Sequence, residues 1–253
     1  MSKKTLQFHD VSFYYNSEQS ILENLHFTVN DGEFVSIIGP SGSGKSTLFK
    51  IITGLEQPSN GEVLINERVV ENRLGQVGYM PQQDLLMPWR TILENAALPL
   101  EIKGLKKHEA HEQARKLLVE FGLKEVENKF PSELSGGMRQ RVSFLRSVLS
   151  GSNILLLDEP FSSLDAITKL SMQEWLLEKW EKAKSTVLFI THDVDEALFL
   201  SDRIYVFTET PVTRLQEVTV PLSRPRDIRD IHQPQVIELK EALIDQLRSR
   251  VKL

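Results

Sequence analysis

Gly39-Pro40-Ser41-Gly42-Ser43-Gly44-Lys45-Ser46-Thr47 has the spacing G-x-x-x-x-G-K-[ST], a phosphate-binding loop. Its glycines carry no side chains, so successive backbone N–H groups can turn inward around phosphate oxygens. Lys45 adds a cation for the β- and γ-phosphates, and Ser46 offers a hydroxyl to Mg²⁺, a hard ion that prefers oxygen ligands. The flanks agree. Glu33-Phe34-Val35-Ser36-Ile37-Ile38 is a short β-rich run that ends at Gly39. Leu48, Ile51 and Ile52 then recur at helical spacing, and Gly54 stops the helix. Strand, glycine loop and helix N-terminus together make an anion site.

Moving outward, the chain alternates. Residues 5–35 read as strands, with turns at Asn16-Ser17 and Asn30-Asp31-Gly32. A hairpin-like stretch covers Gly61 to Val70. From about Ile92 to Leu149 the pattern is mostly helical, with Ala110, Ala114, Leu117, Leu118 and Phe121 on one face and Gly122 as a stop. Short apolar strands return at Ile154–Leu157 and Val187–Ile190, with a helical run over Ala166–Lys182 between them. The fold class this predicts is α/β, a parallel-sheet core with an N-terminal antiparallel β subdomain and an inserted helical subdomain. The expected division is a catalytic core over 1–82 and 152–230, a helical subdomain over 83–151, and a C-terminal amphipathic helix over 233–250, opened by Pro234.

Composition narrows the partners. The chain has 253 residues, 40% hydrophobic and 26% charged, as in an ordinary globular protein. A net charge of −5 gives no overall basic field toward nucleic acid or anionic lipid, and with no cysteine there are no disulfides, thiolate metal sites or thiol nucleophiles. No apolar run follows the lysines of Met1-Ser2-Lys3-Lys4-Thr5, so no secretory signal is expected, and no run is long enough to span a bilayer. A membrane role therefore needs a second chain.

Two further stretches carry chemistry. Ile154-Leu155-Leu156-Leu157-Asp158-Glu159-Pro160 is an apolar strand ending in two carboxylates. Ligands of parallel sheets sit beyond strand C-termini, so Asp158 is expected to reach Mg²⁺. Glu159, its neighbour on an extended chain, is expected to diverge from it and to orient and deprotonate an attacking water. Leu134-Ser135-Gly136-Gly137-Met138-Arg139-Gln140-Arg141 is a second glycine-rich helix start, with Ser135 as N-cap. One γ-phosphate rarely needs two helix N-termini from one subunit. A two-fold dimer answers this if each ATP lies between one copy's phosphate loop and the Ser135-Gly136-Gly137 cap of the other.

In this order the motifs resemble the ABC transporter ATPases over almost the whole chain, which are P-loop NTPases of RecA-like fold. The resemblance implies more site residues. Gln82, in Tyr79-Met80-Pro81-Gln82, matches a glutamine that touches Mg²⁺ and water and relays nucleotide state to a membrane partner. Ser162-Ser163-Leu164-Asp165 looks like the loop that crosses the dimer interface. His192 looks like the switch histidine at the γ-phosphate, and Tyr15, with Tyr14 as the alternative, looks like the aromatic that stacks on adenine. Ser143, Phe144 and the pair Gly151-Ser152 depart from the family's usual residues, which bears on helix packing rather than on chemistry. His108 and His111 share a helix face and read as solvated.

The implied function is an ATP-hydrolysing importer subunit, homodimeric, held by transmembrane permease subunits at the cytoplasmic face and served indirectly by a solute-binding protein. The alternative is a soluble non-transport ABC ATPase. That class usually carries paired cassettes or a coiled-coil insertion, and this chain has neither. Leu85-Leu86-Met87-Pro88-Trp89 reads either as helical-subdomain core or as a groove for a permease helix. With Leu222-Ser223-Arg224-Pro225-Arg226-Asp227, it resembles the importers of nitrate, sulfonates, taurine and pyrimidine precursors of thiamine.

Overall fold

The computed structural model describes residues 3–16 and 19–248, and the chain forms two compact units. One joins the chain up to Gln76 to the chain from Trp180 onward; the other is Val77–Lys179.

The first unit is built on a parallel sheet. β3 (Phe34–Ile38) is buried at every position and lies between β8 (Thr186–Ile190) and β9 (Arg203–Val206), parallel to both. Strands covered on both faces should be apolar throughout, as β3 and β8 nearly are. β10 (Gln216–Thr219) closes the edge antiparallel to β9. β9 and β10 add to what the sequence pattern marks. They are four residues each, below the length at which periodicity separates strand from loop. An antiparallel sheet runs in the order β2 (Gln19–Asn30), β1 (Lys4–Asn16), β4 (Asn60–Ile65), β5 (Arg68–Val69). Ser17 of the expected first turn lies outside the described residues. The two sheets are tied by Arg203, whose guanidinium donates to both Glu33 carboxylate oxygens at 2.8 Å and to the Thr28 carbonyl at 2.8 Å.

α1 (Lys45–Thr53) follows β3 and ends at Gly54, whose φ of 81° forms a left-handed cap. The C-terminal helix α7 (Pro234–Arg248) starts at the expected proline, and residues 249 and 250 lie outside the described part. It buries Val236 and Leu243 against a cluster formed by Ile38, α6 (Val194–Leu200) and Val206.

In the second unit β6 (Gly78–Met80) pairs parallel with β7 (Ile154–Asp158). Helices α2 (Ile92–Ile102), α3 (Lys107–Glu120) and α4 (Gly136–Leu149) complete it, with α5 (Ala166–Ala183) as far as Lys179. α2 opens with a reciprocal capping box between Thr91 and Glu94. Ala110, Ala114, Leu118 and Phe121 are buried as their spacing requires, and Leu117 is half-buried. Phe144, one of the departures, packs with Phe121 and Trp175 at centroid distances of 5.7 and 5.9 Å. His108 is exposed, but His111 is turned inward, its Nε2 3.5 Å from a Glu101 carboxylate oxygen. Among the described residues, no helix is long and apolar enough to cross a membrane.

Candidate functional site

The phosphate loop belongs to the first unit. Gly44 has a φ of 97°, and a Cβ there would meet Ile21 Cγ2 at 2.7 Å, so both conformation and space demand glycine. Lys45 is buried, and its ammonium donates to the carbonyls of Gly39 at 2.9 Å and Pro40 at 2.7 Å. The cation is thereby drawn over the loop whose amides would hold phosphate. Ser46 is exposed at the first turn of α1, while Thr47 is buried. Tyr15 and Thr47 share a hydroxyl–hydroxyl hydrogen bond of 3.2 Å, and Phe13 meets the Tyr15 ring edge-on. Tyr15 thus stands beside the loop, half exposed, with ring surface for a base. Tyr14 is exposed to a similar degree, and its backbone N–H donates to Ser59.

His192 follows β8 and is exposed. Its turn is fixed from both sides. Thr191 donates to Glu196 and accepts from the Asp193 N–H at 3.0 Å, and Asp193 caps α6 by accepting from Asp195 N–H at 2.9 Å.

The carboxylates belong to the second unit. Asp158 is the last residue of β7 and is 1% exposed. Burial first, and the Asp158 charge second, push the Tyr79 hydroxyl well above its ordinary pKa. Glu159 departs from the extended-chain expectation, because its φ is +52°. The strand ends at Asp158, and the backbone enters the left-handed region, costly for a side chain with a Cβ. The two carboxylates therefore part by a backbone turn, not by strand alternation. Gln82 Nε2 donates to Glu159 Oε2 at 2.9 Å, so two of the expected site residues meet directly.

Ser135 caps α4 by accepting from the Met138 N–H at 3.3 Å, and Ser135 and Gly136 are exposed. A Cβ on Gly137 would lie 3.0 Å from the Ser163 carbonyl, so that glycine lets the helix start approach the 162–165 loop. Asp165 accepts from Thr168, which holds its carboxyl below the usual range, and burial lowers the nearby Arg141 while Asp165 opposes that shift. Gln82, Gly136, Arg139, Gln140 and Ser163 line a cleft of ≈370 Å³.

The family model described as ABC transporter matches residues 22–162. The chain belongs to the ABC transporter family. It is 52% identical to the formylaminopyrimidine import ATP-binding protein ThiZ of Halalkalibacterium halodurans over 87% of this chain and 86% of that one. It is 44% identical to the aliphatic sulfonates import ATP-binding protein SsuB 1 of Rhodococcus jostii, over 91% and 88%. A solved ATP-binding cassette, dimeric in a post-hydrolysis state bound to ADP and Pi, superposes with a TM-score of 0.78 at 31% identity, over 86% of this chain and 100% of that one. The fold is that of the ABC ATPase cassettes, and the chain is an ATP-binding, ATP-hydrolysing subunit of the importer kind rather than a soluble non-transport ABC ATPase.

Within this ABC cassette the Leu85–Trp89 stretch is not core. Trp89 is 73% and Leu85 59% exposed, although Leu86 is buried. Asn95, fully buried, braces the loop by accepting from the Met87 N–H at 2.7 Å and donating to the carbonyls of Met87, Arg90 and Thr91. Arg146 donates to the carbonyls of Asp84 and Leu85 at 2.8 Å, and Arg139 Nε donates to the Asp84 carboxylate at 3.0 Å. Asn95 and Arg146 are site-building residues outside every motif, and Arg139 and Gln140 stand inside the glycine-rich helix start without its spacing revealing what they hold. For Asn95 and Gln140 the one available signal is an amide among the apolar residues of a helix.

Proposed function

We propose that this ABC ATPase works as a two-fold homodimer that drives uptake of a small polar solute through permease subunits at the inner membrane face. Each ATP is held by Gly39–Thr47 of one copy, with Tyr15 on the adenine and Lys45 exchanging loop carbonyls for phosphate oxygens. The other copy brings Ser135, Gly136 and Gly137 to the γ-phosphate, and Asp165 crosses the interface beside them. Ser46, Asp158 and Gln82 offer the hydroxyl, carboxylate and amide oxygens that Mg²⁺ accepts. Oxygen-only donors of this kind, few in number, suit a hard ion that keeps water and phosphate as its other ligands. When bound, Mg²⁺ neutralises charge on the β- and γ-phosphates. Glu159 orients the attacking water and accepts its proton, and His192 and Gln82 sense the γ-phosphate. Loss of that phosphate removes the ligand favouring the closed pair, so the copies part and the permease follows.

The observation that carries this reading is the Glu159 carboxylate, fixed just past β7 and bonded to Gln82 at 2.9 Å. In the division proposed here, the core is 1–82 and 152–230, the helical subdomain 83–151 receives the permease, and 233–250 is an accessory helix. Leu85 and Trp89 are the docking anchors, since an exposed aromatic on a braced loop suits a partner helix. A solute-binding protein delivers cargo to the permease. The solute is a pyrimidine, a sulfonate or nitrate, with a pyrimidine as the first to test given the identity to ThiZ.

The test is co-expression with the permease. Vesicles should accumulate labelled solute only with ATP inside the compartment that faces this subunit. Trp89→Ala should weaken co-purification with the permease and spare ATP binding. Unchanged co-purification would remove the docking role.

A further inference from the structure

Gln140 lies one turn inside α4, and its side chain is 5% exposed. The amide uses both ends. Nε2 donates to the Glu159 carbonyl at 3.0 Å and to Ser162 Oγ at 3.0 Å, and Oε1 accepts from the Ser163 N–H at 2.8 Å. Ser162 Oγ in turn donates to the same Glu159 carbonyl at 3.1 Å. These two side-chain donors join the Ser162 N–H, at 3.3 Å, on the carbonyl of a residue whose φ is +52°. A left-handed glutamate persists only where its surroundings over-determine it, and the buried Gln140 amide is the group that ties this turn to α4.

We propose that Gln140 is a positioning residue for hydrolysis. It fixes the main chain of Glu159, and with it the carboxylate, to the helix that begins at Ser135. The proposal rests on the role assigned above to Glu159 and extends it. In the dimer the start of α4 faces the partner's nucleotide, while Gln140 on the same helix grips the glutamate serving the chain's own nucleotide. The amide thus connects the two ATP sites through a single turn of α4. Its contact with the Ser163 N–H couples the 162–165 loop to the same helix.

The donor end matters most in this arrangement. Gln140→Leu keeps the volume and removes all three bonds. Gln140→Glu keeps an acceptor for the Ser163 N–H but replaces the donor aimed at the Glu159 carbonyl with an acceptor. Both variants should lower kcat about 10- to 100-fold, the scale of a catalytic group displaced by a fraction of an ångström to one ångström, with the KM for ATP changed less than about threefold. In a double-mutant cycle, Gln140→Leu on a Glu159→Gln background should cause no further loss, because its effect runs through the carboxylate. Wild-type turnover in Gln140→Glu would overturn the proposal. So would an additive cycle, or loss of ATP binding or of folding in both variants, which would mark a packing residue. If the wild-type protein itself hydrolysed no ATP, the failure would lie with the functional reading and not with Gln140.

Discussion

At the residue scale the account turns on Glu159. Its neighbours give it a fixed backbone and a side-chain partner in Gln82, without removing it from water. General-base assistance of this kind is worth about 10²- to 10⁴-fold. Glu159→Gln should therefore retain ATP binding, lose turnover by at least about 100-fold, and accumulate closed dimers. Steady-state hydrolysis and light scattering with ATP present check this, and near-normal hydrolysis would remove Glu159 from its role. The same scale shows what motif reading can and cannot reach. Gly39–Thr47 was legible because the phosphate loop is contiguous and its chemistry is local. The backbone turn at Glu159 was not, because alternation along a strand says nothing once the strand has ended. Gln140 sits in the quoted glycine-rich motif, but its role was hidden for another reason. A glutamine at a helical position has no distinguishing spacing, and its function arises from three partners 19 to 23 positions away in the chain.

At the element scale most boundaries follow from capping and burial. Gly54, Gly122, Ser135 and Pro234 punctuate helices where their backbone chemistry predicts. The strands β9 and β10 escape the pattern, being too short for a period, β9 held by pairing with the distant β3 and β10 by pairing with β9. Leu85–Trp89 is the instructive case. Apolar composition fits core or docking surface equally, and the structure, with Asn95 and Arg146 holding the loop, leaves Trp89 facing outward. The α2 capping box makes a quantitative expectation. Thr91 accepts from the Glu94 N–H at 3.3 Å, and Glu94 accepts from the Thr91 N–H at 3.1 Å. Thr91→Ala should lower stability by about 1 kcal/mol in denaturant titration, with an unchanged m-value. The Thr91 N–H, with Lys107 second, holds the Glu94 carboxyl below its usual 4.5. A carboxyl lowered on folding stabilises above its unfolded pKa, and that stabilisation fades as pH falls through the folded one. Glu94→Gln and the wild type should therefore differ in stability at neutral pH and converge as pH drops below about 4.5, and a pH-independent gap would contradict the capping account.

At the scale of the whole molecule, one chain offers two anion-binding helix starts, the phosphate loop before α1 and the Ser135 cap before α4. The central claim is that they serve different nucleotides, each completed by a second copy. The absence of cysteine gives a clean way to test this. Two variants, S41C and S135C, each carry a single thiol at an exposed position. They should be mixed in the Glu159→Gln background and oxidised with and without ATP. The account expects a disulfide-linked species of twice the chain mass that forms only when both variants and ATP are present. If the mixture cross-links no faster with ATP than without it, or stays monomeric while ATP is bound, the shared-site mechanism is wrong.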